Sequence, residues 1–148
     1  APVEVSACGG SYLTNGIADT TLSNLRFENE SRAHIFVSWL HPFKEQRLVV
    51  VGDKKMAIFN DVASFREKLQ LYTQNVEFDG LIPILKKEDA EFAEHANTEP
   101  LREECNHFLD CIQSRNQPLT NAQSGIDVLK VLNACQQSIE QNGAPVSL

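Results

Sequence analysis

Residues 33–40 read Ala33-His34-Ile35-Phe36-Val37-Ser38-Trp39-Leu40, and in an extended strand successive side chains alternate between two faces. One face carries Ala33, Ile35, Val37 and Trp39, the other His34, Phe36, Ser38 and Leu40. Apolar groups therefore stand on both sides, as expected of a central strand covered on two faces. Upstream, Val3-Glu4-Val5-Ser6-Ala7-Cys8 alternates and stops at Gly9-Gly10, a glycine pair that ends a strand. Residues 21–28 also alternate, with Ser23, Leu25 and Phe27 opposite Leu22, Asn24 and Arg26. Asn29-Glu30-Ser31 then supplies a turn. Downstream, the β-branched and aromatic runs at 47–51 and 56–59 flank Gly52-Asp53-Lys54-Lys55, a hairpin in which Gly or Asp admits positive φ. About five antiparallel strands follow from these periodicities.

The period changes after about residue 90. Thr98 caps a helix, Pro100 suits its first turn, and Leu101, Cys105, Phe108 and Ile112 recur on one side until Pro118 ends it. A second helix starts near Thr120 or Asn121 and stops at Gly143 before Pro145. Its expected buried side is Gly125, Val128, Leu132, Cys135 and Ile139. Two segments are less regular. Residues 61–72 fit a helix through Phe65, Leu69 and Tyr72, while 68–73 fit a sheet edge equally well. Residues 75–97, with Gly80, Pro83 and Lys86-Lys87-Glu88-Asp89, read as an irregular arm whose Leu81, Ile82, Ile84 and Leu85 lie against something. The expected class is α+β: an open, mostly antiparallel sheet with helices on one face and the other face available for oligomerisation.

Composition narrows the functions. The 148 residues suit one domain, and 42% hydrophobic against 22% charged residues support a packed core rather than disorder. A net charge of -7 with no basic block argues against nucleic acid as a partner. The longest aliphatic run, Leu48-Val49-Val50-Val51, falls far short of the roughly 20 residues of a membrane helix, so no membrane association is expected. Neither a signal peptide nor a lipidation signal is visible, and the expected location is the cytoplasm. Cys8, Cys105, Cys111 and Cys135 lack CxxC spacing and are expected to be buried, reduced thiols.

Enzyme signatures fail one after another. Gly9-Gly10-Ser11 is not followed by the further glycine and helix of a dinucleotide fingerprint, and GxxxxGK[ST], GxSxG and HExxH are absent. Glu103, His107 and Cys111 share a helix side at i+4 steps, but the bland reading, a polar edge of the core, outweighs a metal site, and none is assigned. His41, Lys44 and Arg47 cluster after Trp39. Imidazole, ammonium and guanidinium around an aromatic suit an anionic ligand, with a solvated hairpin connection weighing about equally.

Several of these segments together resemble one family. Gly9-Gly10-Ser11-Tyr12-Leu13, Ile17-Ala18-Asp19, Leu25-Arg26-Phe27-Glu28-Asn29, and above all Ser38-Trp39-Leu40-His41-Pro42-Phe43-Lys44 followed by Val51-Gly52-Asp53-Lys54-Lys55-Met56 are similar to the C-terminal domain of Gfo/Idh/MocA oxidoreductases, the glucose-fructose oxidoreductase and inositol dehydrogenase relatives. Glu99-Pro100-Leu101, His107-Phe108-Leu109-Asp110-Cys111-Ile112 and Pro118-Leu119-Thr120 resemble the family's ending. The likeness covers nearly the whole chain and leans toward the branch acting on nucleotide sugars in surface-polysaccharide synthesis.

In whole enzymes the resemblance implies an N-terminal Rossmann domain holding NAD or NADP, and a lysine and a histidine that handle the proton while hydride passes to the cofactor. This chain carries neither the Glu-Lys-Pro tripeptide nor the Asp-to-His helix motif, so no catalytic and no cofactor-binding residue is assigned to it. Residues 1–148 are expected to form a single substrate-binding and oligomerisation domain, inactive alone, within a longer gene product. The substrate-binding candidates are Tyr12, Trp39, His41 and Lys44, aromatics for a sugar face and cations for an anionic group. The expected partners are a sugar or nucleotide-sugar substrate and further copies of the chain, joined through the open sheet face. The alternatives are a non-catalytic assembly module or a stand-alone sugar-binding domain.

Overall fold

The alternating segment that ends at Gly9-Gly10 forms the strand on which the first half of the fold is built. In the computed structural model, which describes residues 1–87 and 89–148 and only the backbone of 74–78 and 85–87, β1 (Pro2–Gly10) pairs antiparallel with β2 (Thr20–Phe27). β2 pairs in turn with β3 (Arg32–Ser38). The β2–β3 turn is closed by Phe27 and Ser31, with Glu30 at φ 62° and the Asn29 side chain accepting from the Ser31 amide. Two helices follow late in the chain, α1 (Pro100–Ser114) and α2 (Ala122–Glu140). The last strand, β9 (Val146–Ser147), pairs with β1 on its other side and completes the order β3-β2-β1-β9.

In chain order, a second sheet comes between β3 and α1. β4 (Arg47–Val51) and β5 (Lys55–Asn60) form the expected hairpin, closed by the Gly52 amide donating to the Lys55 carbonyl. Neither Gly52 nor Asp53 has positive φ, contrary to expectation. A short 3-10 turn at Phe65–Glu67 leads into β6 (Leu69–Asp79), so the ambiguous 61–72 segment resolves mainly to strand. β6 turns at Gly80, whose φ of 62° suits a residue without a side chain. It returns as β7 (Ile82–Lys87). The expected irregular arm is therefore mostly hairpin, because backbone pairing outweighs its mixed composition; Glu88 of its charge run lies outside the described residues. β8 (Glu91–Phe92) pairs with β6. The strands thus form two hydrogen-bonded sheets rather than one. The chain divides into two compact units, Ala1–Pro42 with Cys105–Leu148, and Phe43–Glu104. The class is α+β, as expected.

In the first unit the register Val5↔Leu25↔Ala33 and Ala7↔Ser23↔Ile35 sets one face of the sheet against α2. Val5, Leu25 and Ala134 form its buried centre, edged by Phe27, Val131, Cys135 and Val146. The packed side of α2 is turned by about one residue from the expected one. Ala134 and Ser138 are buried, while Gly125, Val128 and Leu132 are exposed and Cys135 and Ile139 are only half-buried. Small residues let α2 approach β1 closely, and Ser138 hydrogen-bonds there, a gain that hydrophobic periodicity does not register. No residue of α1 is buried, and Leu101, Phe108 and Ile112 are exposed.

Two further corrections concern residues read from sequence. β3 is an edge strand of its sheet, not a central one, with Ile35, Phe36 and Val37 all exposed. Two apolar faces are compatible with burial, but they do not supply a neighbouring strand. All four cysteines are free thiols, with Cys8 and Cys105 exposed and Cys111 and Cys135 half-buried, so none is fully buried, although Cys135 packs against the buried centre. No described helix is long and apolar enough to cross a membrane.

Candidate functional site

Strand direction decides where the candidate residues emerge. Gly10 at the end of β1 faces Thr20 at the start of β2, which faces Ser38 at the end of β3. The loop after β1 and the segment after β3 therefore leave the sheet at the same end, bringing Tyr12, Trp39 and His41 to it. The loop is a small reversal in which Thr14 and Ile17 bridge, with Gly16 at φ 81°. Tyr12 is 72% exposed and Trp39 84%. The Tyr12 ring lies against Gly10, where an added Cβ would meet its edge carbon at 2.5 Å and push the ring aside. His41 packs a tilted ring on Phe36, with centroids 5.5 Å apart. The Ser38 hydroxyl accepts the Leu40 amide at 3.1 Å, shaping the chain between Trp39 and His41.

Asp19, which the sequence marks only as part of Ile17-Ala18-Asp19, organises this end. It is 6% exposed. Its Oδ2 accepts the backbone N–H of Tyr12 and, at 2.6 Å, that of Leu13. Its own N–H donates to the Gly10 carbonyl at 2.8 Å, and its carbonyl accepts the Trp39 N–H at 2.8 Å. The local signal in the sequence is an Asp closing a short glycine-containing loop, where its side chain can hydrogen-bond nearby backbone.

Lys44 lies in the other unit and is already engaged. Its Nζ is 3.5 Å from Asp61 Oδ2, and Lys68 Nζ approaches Asp61 Oδ1 at 2.9 Å. The hydrogen bond and charge of Lys68, with a smaller contribution from Lys44, hold the Asp61 carboxyl below the ordinary carboxylate range. Arg47 reaches Glu45 at 3.8 Å. The basic cluster of the sequence is therefore largely balanced by neighbouring carboxylates.

On the face of the first sheet turned away from α2, Glu4, Ser6, Asn24, Arg26, Arg32 and His34 line an open polar hollow. Arg26 grips Glu4 with two contacts of 3.3 and 3.4 Å, and this hydrogen bonding raises the guanidinium pKa further. On α1, His107 and Cys111 do meet, with Nε2 to Sγ 3.6 Å, but the same Nε2 accepts the Leu119 N–H at 3.1 Å. Among the described residues no three His, Cys, Asp or Glu side chains gather as a metal site.

A family profile described as "Oxidoreductase family, C-terminal alpha/beta domain" matches residues 1–148. No curated protein matches the chain significantly. Among solved structures, UDP-N-acetylglucosamine 3-dehydrogenase GnnA from Acidithiobacillus ferrooxidans is similar at 18% identity and TM-score 0.73, over 95% of this chain and 41% of that one. The aldose-aldose oxidoreductase from Caulobacter crescentus, complexed with glycerol, is 18% identical at TM-score 0.71, over 99% of this chain and 41% of that one. The WlbA dehydrogenase from Bordetella pertussis, in complex with NADH and UDP-GlcNAcA, is 19% identical at TM-score 0.68, over 99% and 39%. The chain thus spans about two fifths of the length of these structures. With the profile matched from end to end, the chain belongs to this oxidoreductase family, as its C-terminal alpha/beta domain.

Proposed function

We propose that residues 1–148 are the substrate-side and assembly domain of an NAD(P)-dependent sugar oxidoreductase, with a nucleotide sugar as the favoured substrate class. The observation that carries this reading is the convergence of two highly exposed aromatics, Tyr12 and Trp39, with His41 at one end of a sheet. Flat apolar rings with polar tips suit the face and hydroxyls of a sugar. Lys44 is the weaker candidate, because an anionic group has to compete with Asp61 for it.

The glycine pair does not fit a dinucleotide. Gly9-Gly10-Ser11 runs from β1 through a loop into β2, not into a helix whose N-terminus would meet a pyrophosphate. The nicotinamide cofactor is therefore assigned to a Rossmann domain elsewhere in the whole protein, and the part given to residues 1–148 is to hold the substrate. Assembly is assigned to the open face of the first sheet, which carries exposed Leu22 and Phe36 as well as the Glu4–Arg26 pair. The reading places the protein in the cytoplasm.

Titration of the natural gene product with UDP-N-acetylglucosamine by calorimetry tests the substrate role. Tyr12→Ala and Trp39→Ala are expected to weaken binding at least about tenfold, in line with truncation of aromatic hot spots. Unchanged affinity in both variants sinks the site, unchanged affinity in His41→Ala removes His41 from it, and unchanged affinity in Lys44→Ala ends the separate candidacy of Lys44. Sedimentation checks assembly: a monomer at high concentration counts against the sheet-face interface.

A further inference from the structure

A buried carboxylate needs compensation for the water it loses, and Asp19 is 6% exposed. Two consecutive backbone N–H groups, of Tyr12 and Leu13, converge on its Oδ2. Successive amides turned toward one anion form a strong local anion site, and here the anion is the chain's own side chain.

The loop secured in this way buries little of itself. Tyr12, Leu13 and Ile17 are all more than 60% exposed, so beyond the Tyr12 ring on Gly10 packing does little to hold the loop in place. What the buried carboxylate holds is the position of an exposed aromatic. The same residue's carbonyl accepts the Trp39 N–H from the end of β3, so one side chain and its backbone set both aromatics of the sheet end.

We propose that Asp19 is the positioning residue of the ligand-binding end, fixing Tyr12 through its carboxylate next to the Trp39 segment held by its carbonyl. The proposal rests on the reading that Tyr12 and Trp39 contact a sugar ligand. Asp19 itself touches no ligand in it. The acceptor oxygen, not the charge alone, is what the loop requires, so an amide oxygen at the same place serves in part.

The test uses the natural gene product, with UDP-N-acetylglucosamine and glucose as probes in calorimetry and hydrogen exchange followed on the 11–14 peptide. Asp19→Ala is expected to weaken binding at least about tenfold and to speed exchange of this peptide at least about tenfold. Asp19→Asn is expected to stay within about threefold on both readouts, since an oxygen acceptor remains. If Asp19→Ala does not fold, Asp19→Glu decides: it keeps the charge but displaces the acceptor, and wild-type binding by it overturns the proposal. Wild-type affinity in Asp19→Ala, alongside tenfold losses in Tyr12→Ala and Trp39→Ala, overturns the positioning role and leaves the site reading standing. If the wild type binds neither probe, or both aromatic variants bind as the wild type does, the site reading falls and the positioning role falls with it.

Discussion

Replacing Ser138 by Ala removes one oxygen from the join between α2 and β1, and the structure allows its cost to be worked out. Ser138 is fully buried. Its Oγ accepts the Ala7 N–H at 2.8 Å and donates to the Ala144 carbonyl at 2.7 Å, with the Ala7 carbonyl at 3.4 Å as a weaker alternative. The reason lies in the sheet. β9 pairs only with Glu4 and Val5 of β1, so beyond Val5 that edge of β1 has no strand, and the Ser138 hydroxyl takes the place of the missing carbonyl. In Ser138→Ala the buried Ala7 N–H loses its partner, at a cost of about 1–3 kcal/mol, and the half-buried Ala144 carbonyl loses a bond worth about 1 kcal/mol. The better helix propensity of Ala returns roughly 0.5 kcal/mol. The net expectation is a loss of about 2 kcal/mol, read as a lower urea midpoint at unchanged slope. Because local helix propensity acts in the opposite direction, any loss is tertiary. A change below about 0.5 kcal/mol, comparable to an ordinary surface substitution, would refute the idea that Ser138 completes the edge of β1.

Val5→Ala removes two carbons from a fully buried side chain in the Val5, Leu25 and Ala134 centre, and is expected to cost about 2–3 kcal/mol from transfer and cavity terms in the same urea experiment. The Asn121 side chain accepts the Ser124 amide at the start of α2 at 3.0 Å. Asn121→Ala is expected to cost about 1 kcal/mol, and Asn121→Asp to cost far less. The Asp61 carboxyl is held below its ordinary value by Lys68 and then Lys44. Its contribution to stability is therefore present above the ordinary carboxylate value and is lost as pH falls through the lowered folded value. Asp61→Asn is expected to reduce the acid dependence of stability, and an NMR titration placing this carboxyl at or above the ordinary range contradicts the Lys68–Asp61–Lys44 arrangement.

The elements with clear local signals are legible in the sequence. The turn at Asn29-Glu30-Ser31, the 47–51 and 56–59 hairpin and the two helices stand where period and breakers place them, while Gly9 and Gly10 do not stop β1 but form its last paired residues. The strand within the expected arm is not legible, since residues 82–87 pair because Gly80 turns the chain back onto β6 and not because of their own alternation. The segment 33–40 shows the converse. Its two apolar faces suggest a central strand, whereas its place in the β3-β2-β1-β9 order is the edge. The packed side of α2 departs from its expected side by about one residue because hydrophobic periodicity weighs Val128 and Leu132 above Ser138, while the backbone of β1 needs the hydroxyl.

Of the candidate site, the sequence singles out the aromatic and basic residue types but not their arrangement. Tyr12 and Trp39 lie 27 positions apart, and only the antiparallel register of three strands brings both to one end. Asp19 is less legible still: an Asp closing a short glycine-containing loop suggests side-chain-to-backbone bonding, but only the structure shows which amides it accepts.

By itself, then, the sequence determined the α+β class, most of the elements and the family likeness, because local periodicity, turn chemistry and motif spacing are properties of neighbouring residues. The tertiary structure alone decided which strands share a sheet, which side of α2 is buried, which cations are already paired and which carboxylate holds the loop. Those outcomes depend on backbone groups finding partners far along the chain, a requirement that acts on every residue alike and leaves little mark on amino-acid type.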